Sequence, residues 1–161
     1  MKYILTPQRL AQLELMIGEL KKRADHAARS GFESGSEQDG HHDEGYQLSL
    51  RETTLLDTQL RNLVDIRCNA EIVVPVEQDQ QVRFGNGVEL LYKNGEVSRS
   101  IMEGYVFGSA ENRISIHSPL GRAIIEAKPG DVVSFTVGGR TITVTVRKIF
   151  LPSQAEKLCS S

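Results

Sequence analysis

The chain has 161 residues, 39% of them apolar and 25% charged, with a formal net charge of −2. That balance suits one folded domain or two small ones, excludes an intrinsically disordered chain, and gives no whole-protein attraction for nucleic acid. No apolar run reaches membrane length and the opening MKYILTPQRL is too short in apolar residues for a signal peptide, so the expected location is the cytoplasm, with no membrane partner. Cys68 and Cys159 lie far apart in sequence and are read as reduced thiols without a special role.

Thr6-Pro7 opens a first helix, because Thr caps well and Pro at the first helical position loses no hydrogen bond. The helix is expected over 7–30, roughly 35 Å at 1.5 Å per residue, and to stop where Gly31, Gly35 and Gly40 disfavour continuation. Leu10, Leu13, Ile17, Leu20, Ala24 and Ala27 fall alternately three and four apart, which is the seam along which one helix lies against another. Lys21, Lys22, Arg23 and Arg29 form a basic band, read either as a solvated face or as a contact for an anionic partner.

A second helix is expected from Asp43 or Glu44, acidic residues that suit a helix N-terminus, through Arg67. Tyr46, Ser49, Thr53, Leu56, Leu60 and Leu63 repeat the seam, and Leu48, Leu50, Leu55, Val64 and Ile66 lie beside it and are read as widening it. Between the two helices sits a glycine-rich turn carrying Glu33, Glu37, Asp39, His41, His42, Asp43 and Glu44. The pattern predicts an antiparallel coiled-coil hairpin over 1–74 with an acidic far end. The adjacent histidines lack the ligand spacing of a structural zinc site.

Residues 75–79 read as a linker, and 80–161 change to short β-like runs. Strands are expected over 81–84, 88–92, 99–106, 113–117, 132–137 and 141–150, with Gly138-Gly139 as the two-residue turn between the last two. Ser118-Pro119 starts the one helix of this half, Lys128-Pro129-Gly130-Asp131 turns the chain again, and 152–161 reads as a loose tail. The fold class is therefore α+β: a helical hairpin followed by a small antiparallel sheet with one short helix.

These residues carry a likeness. The hairpin with a charged end and the run ISIHSPLGRAIIEAKPGDVV over 114–133, together with Phe84-Gly85 before 88–91 and Tyr46 spaced from Ala70 and Ile72, resemble the Gre family of bacterial transcript cleavage factors. The resemblance implies that the second domain is FKBP-like without prolyl isomerase activity. It also implies that the protein is an accessory factor rather than an enzyme, acting as a monomer in the secondary channel of bacterial RNA polymerase and meeting nucleic acid only through the elongation complex. The loop around Ser118, Pro119 and Arg122 would grip the polymerase. The hairpin end would bring carboxylates to the polymerase's metal centre, where Mg²⁺ shared with the polymerase would be held for cleavage of extruded 3′ RNA.

Counted back from Tyr46, Asp39 falls on the family's tip aspartate, whereas the tip glutamate position holds His42, with Asp43 and Glu44 next in line as substitutes. The resemblance thus assigns Asp39 with Asp43 or Glu44 to the shared metal. One rival is a channel-binding regulator of the same architecture that modulates transcription without cleavage. A distant one is a prolyl isomerase, for which a chain without Trp offers few aromatic residues to build an apolar pocket.

Overall fold

A computed structural model of the chain describes residues 2–34, 44–108 and 111–159. They divide into two units, one of residues 8–70 and one combining 3–7 with 71 onward.

The first unit is two long helices, α1 (Pro7–Ser34) and α2 (Glu44–Cys68). α1 runs past the expected stop and through Gly31, since an established helix gains one hydrogen bond per added residue against a glycine cost of about 1 kcal/mol. Glu14 meets Arg67 at 3.1 Å, and Ser49 Oγ donates to the Ala27 carbonyl at 3.4 Å, so the helices run antiparallel. Every position of the α1 seam is buried or half-buried, as are Ser49, Thr53, Leu56, Leu60 and Leu63 on α2. The burial is deepest at Leu13, Ile17, Leu63 and Ile66.

The seam is narrower than expected. Leu48 and Leu55 are 67% and 60% exposed and Leu50 is also exposed, so of the flanking residues only Val64 and Ile66 turn inward. α2 ends where Asn69 folds back: its N–H and its Nδ2 both donate to the Asp65 carbonyl at 3.0 Å, satisfying an acceptor that the helix leaves open.

The second unit holds two sheets. Strands β1 (Tyr3–Leu5) and β2 (Ala70–Ile72), three residues each and not expected from the sequence, pair with one another. Gly104 packs against β1 so closely that a Cβ there would lie 2.4 Å from the Ile4 carbonyl oxygen. The larger sheet has the order β5-β4-β3-β7-β6, built from β3 (Gly87–Tyr92), β4 (Val97–Glu103), β5 (Arg113–Ser115), β6 (Val132–Val137) and β7 (Arg140–Phe150). Its neighbours are antiparallel except β4 and β5, which run parallel, a departure from the all-antiparallel expectation. Gly138 and Gly139 both take positive φ, 56° and 76°, which a two-residue hairpin of this twist requires.

Val82, Val88, Leu90, Met102, Ile114, Ile124, Ala127, Val144, Val146 and Ile149 form the core on one face of the sheet. Helix α3 (Pro119–Ile124) contributes Ile124 to it. The expected strand at 81–84 is a loop organised by two side chains. Asn86 is wholly buried: its Nδ2 donates to the carbonyls of Gln78 (2.6 Å) and Phe150 (2.9 Å), and its Oδ1 accepts from Gln78 Nε2 (2.9 Å) and the Arg83 N–H (3.0 Å). Side chains therefore do here what a strand partner would do.

The expected loose tail is also corrected, because residues 152–159 form helix α4 (Pro152–Cys159). Glu77 accepts from the Ser153 N–H at 3.0 Å and from its hydroxyl at 3.1 Å, capping the helix start from a distant segment. Ala155 is buried at Gly87, where a Cβ would lie 3.3 Å from the alanine methyl, and Glu156 reaches Arg113.

Candidate functional site

The start of α3 is a rigid corner. Ser118 is the N-cap with extended backbone (φ −69°, ψ 158°). Its Oγ accepts from the Gly121 N–H at 3.0 Å and donates to the Ser115 carbonyl at 2.7 Å. The Arg122 N–H donates to the Ser118 carbonyl at 2.9 Å. Gly121 is buried where no side chain fits, since a Cβ would lie 2.0 Å from the Ser115 carbonyl oxygen. The serine hydroxyl is thus consumed in holding the turn, while Pro119, Arg122 and the neighbouring His117 are exposed around it. Such a corner offers a fixed apolar ring beside a guanidinium, suited to docking rather than to covalent chemistry.

Of the carboxylates expected at the hairpin end, Asp39 and Asp43 lie outside the described residues, as does His42. Glu44 is the first residue of α2. The basic residues Lys21, Lys22, Arg23 and Arg29 are all exposed along α1. Among the described residues no group of three or more His, Cys, Asp and Glu side chains comes together as a metal site, and no helix is long and apolar enough to cross a membrane.

Two charged clusters escaped the sequence reading. Glu103, almost fully buried, pairs with Arg113 on the parallel neighbour strand, and Arg113 also meets Glu156 of α4 at 3.3 Å, fastening β4, β5 and α4 together. Glu89 on β3 pairs with Arg99 at 2.8 Å and with Arg147 at 3.7 Å. The partners stand ten or more residues apart in sequence, and strand register, with the packing of α4 for Glu156, brings them together.

Comparison with known proteins places residues 77–150 within the family model described as transcription elongation factor, GreA/GreB, C-term. The transcription elongation factor GreA of Lachnoclostridium phytofermentans is 29% identical over 152 residues, spanning 92% of this chain and 95% of the relative. GreA of Rhodospirillum rubrum is 27% identical over 143 residues, spanning 86% and 90%. GreA of Mycobacterium tuberculosis is 30% identical over 109 residues, spanning 63% and 66%. Among solved structures, GreA factor homolog 1 (Gfh1) of Thermus thermophilus aligns over 92% of this chain and 99% of its own at 21% identity, with a TM-score of 0.46.

Proposed function

We propose that this chain, whose residues 77–150 match the GreA/GreB C-terminal family model, acts as an elongation factor in the secondary channel of bacterial RNA polymerase and stimulates cleavage of extruded 3′ RNA in backtracked complexes. It is an accessory to the polymerase's own chemistry and cleaves nothing alone. The observation that carries this reading is the joining of the family's C-terminal domain to a unit of 28- and 25-residue antiparallel helices, whose far end bears the sequence's densest carboxylates.

In this reading Asp39 with Asp43 or Glu44 holds Mg²⁺ shared with the polymerase active site. The donor set fits that ion, which takes hard oxygen ligands and often only one or two carboxylates. Once bound, the ion supplies charge stabilisation and an activated water for phosphodiester hydrolysis. The chain's own part is delivery. The Leu and Ile seam keeps two helices in register, and the exposed face of Pro119 and Arg122, fixed by Ser118, grips the polymerase.

The test is a stalled polymerase complex with labelled RNA and magnesium. Wild type shortens the RNA, and Asp39→Ala slows this on the order of a hundredfold, about 2.7 kcal/mol of barrier, while Asp43→Ala and Glu44→Ala identify the second carboxylate. A second reading is favoured by His42 standing at the family's glutamate position. In that reading the protein occupies the channel and modulates synthesis without cleavage, and the same assay then gives reduced synthesis with intact RNA.

A further inference from the structure

The face of the large sheet turned away from the core carries two parallel rows of side chains. Register pairs Arg99 with Glu89 and Glu89 with Lys148, and pairs Val97 with Leu91, Leu91 with Thr145 and Thr145 with Val132. Residues two apart on a strand share a face, so the charged row lies beside the second row, about 7 Å away along the strands. Val88 and Leu90 point the other way into the core.

The charged row is built rather than incidental. Between Glu89 and Leu90 the register shifts, so that Glu89 opposes Lys148 while Leu90 opposes Val146, and Arg147 is the extra residue of a β-bulge. A bulge re-aims a side chain, and here it sets Arg147 against Glu89. The Glu89 side chain is only 11% exposed, whereas those of Arg99 and Arg147 are 55% and 51% exposed. Both arginines meet the carboxylate through Nε, and about half of each arginine side chain is open to solvent. Lys148 adds a third cation, its Nζ 5.0 Å from the centre of the Phe150 ring. One carboxylate thus meets two of these cations, Arg99 and Arg147, and the row keeps an excess of positive charge.

The second row supplies exposed aliphatic surface at Val97 and Val132 with half-buried Leu91 between. The aromatic ring beside these rows, Phe150, is half-buried with Lys148 Nζ over it, a poor platform for the base stacking that single-stranded nucleic acid prefers. We propose that this face is a docking surface for an acidic segment of a partner protein, in which carboxylates seated on the Nη groups of Arg99 and Arg147 alternate with aliphatic side chains lying on Val97, Leu91 and Val132. The surface is separate from the α3 corner, because α3 packs on the core side of the sheet. It goes beyond the proposed function and needs no polymerase for its test.

A fluorescein-labelled peptide of alternating Glu and Leu, titrated with the full chain at low salt and followed by anisotropy, is the probe. Wild type binds it and a Lys-Leu peptide of equal length does not. Combining Arg99→Gln with Arg147→Gln weakens binding about tenfold, and Val97→Ser with Val132→Ser weakens it through the other row. Glu89→Gln discriminates most sharply: it makes the protein more positive, yet binding weakens because the guanidiniums lose their anchor. Thermal melting at the wild-type temperature establishes that each variant is folded. The proposal is overturned if wild type does not bind the peptide, if the double arginine variant binds as well as wild type, if Glu89→Gln binds more tightly, or if oligothymidylate binds as well as the peptide.

Discussion

The two halves of the helical hairpin follow one spacing and fill it differently. Toward the base, Leu10, Leu13, Ile17 and Leu20 of α1 share the seam with Leu56, Leu60 and Leu63 of α2. Farther out, the same positions hold Ala24 and Ala27, with Ser49 and Thr53 on the other helix. A buried leucine removes far more apolar area from water than an alanine, at about 25 cal/mol per Å². The outer half adds a hydroxyl contact, Ser49 to the Ala27 carbonyl at 3.4 Å, and a local one, Thr53 Oγ1 to the Ser49 carbonyl at 2.8 Å. Periodicity therefore fixes where the helices touch, and side-chain volume fixes how firmly.

Three measurements break or sharpen that contrast. Leu13→Ala removes a fully buried side chain from the base and is expected to cost about 3 kcal/mol in chemical denaturation of the hairpin. A loss below 1 kcal/mol would show that the base is not where the stability resides. Ala24→Gly in the outer half should cost about 1 kcal/mol, almost all of it helix propensity. Hydrogen exchange should show amides near Ala24 and Thr53 opening before those near Leu13 and Leu63 in both wild type and variant, and uniform protection along the seam would contradict the contrast. The smallest effect belongs to Arg67→Gln, which removes the half-exposed pair with Glu14. About 0.5 kcal/mol is expected at low salt, fading as ionic strength rises.

Most of the hairpin was legible because a helix seam is a local, repeating property. The half-buried positions of α1 and α2 include the predicted ones from Leu10 to Ala27 and from Ser49 to Leu63. Leu48, Leu50 and Leu55 misled, since an apolar residue on a helix surface is common and carries no obligation to be covered. In the sheet unit, β6, β7 and their glycine turn were legible from alternation and turn chemistry, as was the Ser118-Pro119 cap. β1 and β2 were not, because three residues show no period. α4 was hidden because its cap, Glu77, and its anchor, Arg113, lie 76 and 43 residues away. The Glu89 cluster depended on a bulge, and one extra residue in a strand leaves no mark in the alternation that is stronger than noise.

Asn86 shows a position that reads chemical identity rather than shape. Aspartate would fill the same volume, but where the amide donates to the Gln78 and Phe150 carbonyls a carboxylate would set oxygen against oxygen. An exchange invisible to any measure of size would thereby remove one tie between the loop before β3 and the end of β7, two places 64 residues apart that the Asn86 amide links.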